Sequence, residues 1–256
     1  MTTSEQNPLR LNKAISDTGH CSRREADRLI EDGRVTVNGH KGILGEKVTE
    51  SDVIAVDGIP LPAKEGLVYI AFNKPVGIIC TTESTIKNNI IDFIGHPTRI
   101  FPVGRLDKAS EGLIYLTSDG NIVNKILRAG NNHQKEYVVT VNKPISNTFI
   151  REMSNGIPIL DTITAKCVVT KESNFVFKII LTQGLNRQIR RMCNYLDYEV
   201  VRLQRIRIMN ISLDDLPVGK WRNLTNEELA EIMRATSQSV KTEDASYGIN
   251  EEDDFE

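Results

Sequence analysis

Gly104-Arg105-Leu106-Asp107-Lys108-Ala109-Ser110-Glu111-Gly112-Leu113-Ile114-Tyr115-Leu116-Thr117-Ser118-Asp119-Gly120 places one carboxylate, Asp107, in a turn between two apolar stretches. The first is Ile100-Phe101-Pro102-Val103; the second runs from Leu113 to Leu116 and ends at Asp119-Gly120. Two buried strands flanking such a turn hold its acid on rigid elements while leaving it free to face a cleft. Asp is also a common turn residue, because its side chain bonds nearby backbone, so a purely structural reading of Asp107 is open on the residue alone.

The strands and helices around that turn give the fold class. Leu67–Phe72 reads as a buried strand followed by the loop Asn73-Lys74-Pro75-Val76-Gly77. Further strands are expected at Lys135–Val141, Thr164–Thr170, Phe175–Leu181 and Glu199–Ile208. Helices are expected at Asn121–Arg128, Ser146–Asn155, Asn186–Leu196 and Asn223–Ala235. Strands dominate and helices intersperse, which predicts an α+β domain on a mixed, mainly antiparallel sheet.

Upstream, Leu9 to Val56 reads as a separate small module: two short helices, then strands and turns. Ser22-Arg23-Arg24-Glu25 is a capping box, Val35-Thr36-Val37 alternates as a strand, and Asn38-Gly39 is a turn signal. Pro60, Pro62, Lys64 and Gly66 form a linker, with the boundary near Ala63 to Gly66. The expected organisation is a flexible N-terminus at 1–8, the small module at 9–63, a large domain at 64–236 and an acidic, disordered tail at 237–256.

The overall charge of −2 hides an asymmetry. Residues 241–256 carry a net −6, so the preceding 240 residues carry +4, with the basic groups clustered. An anionic partner is consistent with that body. Arg10 and Lys13 lie on the first helix of the small module and Arg23, Arg24 and Arg28 on the second. They suit phosphate contact or, equally, a solvated face with local ion pairs. Arg187, Arg190 and Arg191 stand at the start of a helix, where the macrodipole disfavours cations; one structural ion pair would explain one of them, and three suit a groove that tracks nucleic acid. No apolar run reaches the roughly 18–20 residues that cross a bilayer, and the first residues lack the features of a signal peptide. Cys21, Cys80, Cys167 and Cys193 fit no metal spacing, and a reduced, cytoplasmic compartment is expected. His20, His40, His96 and His133 are scattered, and none is read as catalytic.

Leu11-Asn12-Lys13, Cys21-Ser22-Arg23-Arg24-Glu25-Ala26-Asp27 and Gly33-Arg34-Val35-Thr36-Val37-Asn38-Gly39 resemble the S4 RNA-binding domain. Four further motifs follow in order: Asn73-Lys74-Pro75-Val76-Gly77, the Asp107 run, Lys135-Glu136-Tyr137, and Gly184-Leu185-Asn186-Arg187-Gln188-Ile189-Arg190-Arg191-Met192. Together they resemble the pseudouridine synthases of ribosomal RNA that carry an N-terminal S4 domain. Met209, where most relatives have Gly, taken with the run from Gly184 to Met192, makes the chain most similar to the branch called large-subunit pseudouridine synthase F.

The resemblance implies isomerisation of uridine to pseudouridine in structured RNA, with 23S ribosomal RNA of the large subunit as the first expected substrate and a transfer RNA as a second. It implies no cofactor, no metal and no membrane partner, and a monomer is expected. Asp107 is implied as nucleophile or base. Burial works against its ionisation, so a cation must offset the desolvation, and Arg190 is the implied partner. Tyr137 is implied to stack on the target uracil, although core packing explains a strand Tyr equally well without the family. Arg105 is implied to fill the gap left by the flipped uridine and Leu203 to touch the base. Lys74, Arg187, Arg191 and the five basic residues of the small module are expected to contact RNA, with a structural role open for Lys74. Ser110 and Thr117 are expected to hold the Asp107 turn. The competing reading is a non-catalytic S4-type RNA-binding or ribosome-assembly factor. A glycosidase would want paired carboxylates, which Glu111 and Asp119 do not offer by spacing.

Overall fold

The computed structural model describes residues 8–63, 66–127 and 133–237; the expectations made for the termini fall largely outside them. The chain divides into two compact units, residues 1–67 with 97–99, and residues 68–96 with 100–256.

The first unit contains β1 (Leu9–Arg10), α1 (Leu11–Asp17), α2 (Arg23–Glu31), β2 (Val35–Val37), β3 (His40–Lys41), β4 (Lys47–Val48), β5 (Ile54–Val56) and β6 (Ile59–Pro60). Ser22 caps α2, its hydroxyl accepting from the Glu25 N–H at 3.2 Å. Asn38 and Gly39 take the left-handed conformations that the turn between β2 and β3 requires. Leu11, Ile15, Ala26, Leu29, Ile30, Val35 and Val56 bury a core of their own.

The second unit contains β7 (Tyr69–Lys74), α3 (Ile90–Ile94), β8 (Phe101–Val103), β9 (Glu111–Thr117), α4 (Gly120–Leu127), β10 (Lys135–Val141) and α5 (Asn147–Asn155). It continues with β11 (Pro158–Ile159), β12 (Thr162–Ile163), β13 (Val168–Lys171), β14 (Val176–Leu181), α6 (Gln188–Tyr195), β15 (Val200–Ile208), β16 (Ile211–Ser212), β17 (Trp221–Asn223) and α7 (Asn226–Ser237). Among the described residues nine strands form one sheet, in the order β13-β14-β10-β15-β9-β7-β17, with β16 on β15 and β8 on β9. Its pairings are antiparallel except β15 with β9.

Alternation along the strands divides the core. Ile70, Phe72, Ile114, Tyr137, Val139, Phe177 and Leu203 face one side, where Phe149 and Met153 of α5 and Ile189 and Met192 of α6 cover them. Ala71, Leu113, Tyr115 and Ile208 face the other, under Ile122 and Ile126 of α4 and Ile232 of α7.

The expected strand Thr164–Thr170 splits. Thr164 is tied to the β11–β12 hairpin, its hydroxyl accepting from the Ile157 N–H at 2.9 Å, and the sheet strand starts only at Val168. β7 runs on through Lys74 rather than stopping at Phe72, because Asn73 bonds the Lys220 and Gly219 backbone beside it. Met209 has φ 52, a left-handed conformation that a glycine adopts without strain.

Candidate active site

The turn carrying Asp107 is held by its backbone. The Ser110 N–H donates to the Asp107 carbonyl at 3.0 Å, and the Gly77 N–H donates to the Lys108 carbonyl at 2.7 Å. The Lys74 ammonium donates to the carbonyls of Ser110 (2.7 Å) and Pro75 (2.9 Å), and the Leu106 N–H to the Cys80 sulfur at 3.4 Å. The Asp107 carboxylate itself takes no part in closing the turn. It faces Arg190, whose Nε stands 3.6 Å from Oδ2.

Arg190 comes from the first turn of α6 and reaches across to that loop. Its Nη2 donates to the Ala109 carbonyl (3.1 Å) and the Ser110 hydroxyl (3.2 Å), and its Nη1 to the Val200 carbonyl (3.3 Å). Nε has no hydrogen-bond partner, since 3.6 Å is an ion-pair distance. Burial pulls the guanidinium pKa down, and Asp107 pushes it back up. The two side chains are 13% and 23% exposed, so the pair is screened from solvent without being sealed from it.

Leu106, Tyr137 and Leu203 belong to one packed cluster on the same face of the sheet. Tyr137 and Leu203 are 9% and 6% exposed. Glu111 is paired with Arg202, and Glu136 with Arg207. A cleft lined by Glu136, Gln204, Arg207 and Asp214 opens on the opposite face and shares no residue with this site.

Residues 68–195 match the RNA pseudouridylate synthase family, and residues 9–54 match the S4 domain. The chain is 58% identical over 227 residues to the dual-specificity RNA pseudouridine synthase RluF of Salmonella typhi, covering 88% of this chain and 78% of that protein. It is 34% identical over 232 residues to the ribosomal large subunit pseudouridine synthase B of Bacillus subtilis, covering 87% and 95%. A solved pseudouridylate synthase superposes with a TM-score of 0.64 at 26% identity, covering 88% of this chain and 99% of the other. The chain belongs to the RNA pseudouridylate synthase family. It is an RNA pseudouridine synthase, an enzyme that isomerises uridine to pseudouridine in RNA.

For a pseudouridine synthase the positions of the other expected residues matter. Arg105 and Arg187 are exposed. Arg191 is engaged locally, donating to the carbonyl (3.1 Å) and side-chain oxygen (3.0 Å) of Asn186. In the S4 unit Arg10, Arg23, Arg24 and Arg28 are exposed, while Lys13 pairs with Asp17 at 2.6 Å within α1. Ser110 serves the loop through Arg190. Thr117 does not: at the far end of β9, it donates to the Val68 carbonyl and accepts from the Asp119 N–H.

Lys74 corrects an expectation. It is fully buried and its ammonium is occupied by two carbonyls, so an RNA phosphate does not reach it. Lys74→Met is expected to lower stability by about 1–2 kcal/mol, as a buried carbonyl (Ser110) and a half-buried one (Pro75) lose their donor. It should slow pseudouridine formation through the displaced loop and leave RNA affinity and its salt dependence unchanged. Thermal unfolding and filter binding across a salt series check both; a reduced salt slope would return Lys74 to the phosphate contacts.

Proposed function

We propose that Asp107 is the catalytic carboxylate of this synthase, acting as nucleophile on the reacting nucleotide or as base on its ribose. The observation that carries the assignment is the Asp107–Arg190 ion pair in a loop whose backbone is anchored independently of the carboxylate. The carboxylate is thereby left free for chemistry, and the cation that offsets its desolvation is fixed by three further bonds. Tyr137 and Leu203 form the walls against which the uracil lies. Arg105, exposed two residues before Asp107, enters the stack in place of the flipped nucleotide. Arg187 and the exposed arginines of the S4 unit contact phosphates.

The substrates in this reading are ribosomal RNA of the large subunit and a transfer RNA. The relatives named as dual-specificity and as large-subunit synthases support that pairing. The protein works in the cytoplasm as a monomer, without cofactor or metal. Among the described residues no helix is long and apolar enough to cross a membrane. The test is to incubate the purified chain with ribosomal and transfer RNA from a strain lacking the gene, and to map pseudouridine by chemical stops. Restoration of discrete sites in both RNAs is expected; restoration in neither discards the substrate reading.

Arg23→Ala, Arg24→Ala and Arg28→Ala combined should weaken RNA binding and reduce the slope of log affinity against log salt by about 2 to 3. The rate at saturating enzyme should stay the same. An unchanged slope would assign those arginines to a solvated face.

A further inference from the structure

The catalytic face of the sheet holds more positive charge than its acids can match. Its acid, Asp107, has Arg190, while Glu111 and Glu136, which alternate to the opposite face, are taken up by Arg202 and Arg207. Of the buried strand cations without a carboxylate, Lys74 has two carbonyl acceptors, and two others are left short of partners. Arg205, 4% exposed on β15, donates Nε to the Leu113 carbonyl at 2.7 Å, and its Nη2 is buried with no partner. Lys135 is 9% exposed at the start of β10, and its ammonium makes no hydrogen bond or ion pair among the described residues. Burial, and then Arg205, pull its ammonium pKa down to about 8. A buried cation without a counter-charge is costly, and a protein retains one where the charge is used.

Position indicates the use. Arg205 pairs in register with Tyr137, and Leu203 lies two residues before it on the same face of β15. Lys135 lies two residues before Tyr137 on the same face of β10. The guanidinium thus sits at the foot of the two residues read above as the walls of the base pocket. The base is the part of a flipped nucleotide that goes deepest, while its phosphates stay at the mouth, near exposed Arg105 and Arg187.

We propose that Arg205 binds a carbonyl oxygen of the flipped uracil through its free Nη2, and that Arg205 with Lys135 beside it carries the negative charge the base acquires when its glycosidic bond breaks. This rests on the reading of Asp107, Tyr137 and Leu203 as the uridine site. The N1–C1′ bond breaks with its electron pair passing to the uracil, which spreads the charge over N1 and the carbonyl oxygens. Arg205 donates a hydrogen bond and transfers no proton. A bond then forms from C5 to C1′, the C5 proton is released, and N1 takes one up, so no co-reactant is needed. An interaction that strengthens as charge develops lowers the barrier rather than tightening substrate binding.

The experiment is single-turnover release of tritium from RNA labelled at uridine C5, prepared from a strain lacking the gene, with the full chain and Lys135→Met, Arg205→Lys and Arg205→Met. Lys135→Met should slow release about tenfold, and Arg205→Met about a hundredfold or more, the size seen on removing a donor from an oxyanion site. Arg205→Lys, which keeps the charge but not the fork, should fall between wild type and Arg205→Met. RNA affinity should stay within about twofold for all three, as expected of an interaction that strengthens only as charge develops.

Lys135→Met should unfold at the same or a higher temperature than wild type. The folded-state pKa of Lys135 lies below its ordinary 10.5, so the charged form disfavours folding at neutral pH and removing it relieves that cost. A lysine needed only for structure would show the reverse. Should Arg205→Met not fold, Lys135→Met and Arg205→Lys decide. Wild-type rates in both overturn the proposal. So does a loss of affinity with a reduced salt slope, which would place a phosphate there. A wild type that releases no tritium takes the catalytic reading down with it, whereas active wild type with unaffected variants removes this proposal alone.

Discussion

Asp107→Asn is expected to lower pseudouridine formation by at least about ten-thousand-fold, the scale on which removal of a central catalytic group is felt. RNA binding should remain within about twofold of wild type. The substitution is isosteric and removes one negative charge, so it tests charge and nucleophilicity rather than shape. The fold should survive it. The loop is closed by the Ser110 N–H on the Asp107 carbonyl, and Lys74 holds the Ser110 carbonyl whatever residue 107 carries. Arg190 loses an ion pair at 3.6 Å that is partly exposed, a loss of about 1 kcal/mol or less, and keeps three other acceptors. Tritium release and thermal unfolding on the same preparation separate the two effects. A midpoint more than about 4 °C below wild type would give the carboxylate a structural role instead. Arg190→Lys is the companion: it keeps the charge, but one ammonium cannot reach Val200, Ala109, Ser110 and Asp107 in the geometry of the planar fork.

What the sequence made legible was what depends on neighbours along the chain. The alternation of Lys135–Val141 placed β10 at its observed ends, and Ser22 capped its helix as the Ser-x-x-Glu spacing predicts. Arg190 was matched to Asp107 by resemblance, and the ion pair is there. What stayed hidden depends on residues that the fold brings together from afar. Lys74 reads as a loop cation until β7 is seen to continue through it and the Ser110 carbonyl to meet its ammonium. Lys135 stands in a motif and Arg205 within the expected strand Glu199–Ile208, yet the unpartnered nitrogen of Arg205 follows from its pairing with Leu113, 92 positions away. The usable signal was a charge at an inward position of an alternating strand, as Lys135 is in the pattern with Tyr137, Val139 and Val141.

Gly112→Ala is expected to be the most disruptive single methyl in the site. Gly112 is the second residue of β9, the strand that follows the Asp107 turn, and lies opposite Arg205 in the parallel pairing of β9 and β15. A Cβ there would stand 2.2 Å from the Arg205 carbonyl oxygen and 2.7 Å from its nitrogen, and these are backbone atoms that no rotamer change moves. Its φ of +104 adds strain for any side chain. Overpacking and the unfavourable φ together imply a loss of about 3 kcal/mol or more, a fall in midpoint of roughly 6–12 °C. The strands must part where Arg205 Nε holds the Leu113 carbonyl, so the guanidinium shifts relative to Tyr137 and the Asp107 loop loses its rigid base. Activity should therefore fall further than the unfolded fraction explains. Gly184→Ala is the control: nothing lies within 4 Å of the Cβ it adds, and its stability should stay within about 0.5 kcal/mol of wild type. If Gly112→Ala unfolds within 1 °C of wild type and keeps its rate, then β9 and β15 can separate without cost, and the close approach of their backbones is not what fixes the catalytic loop.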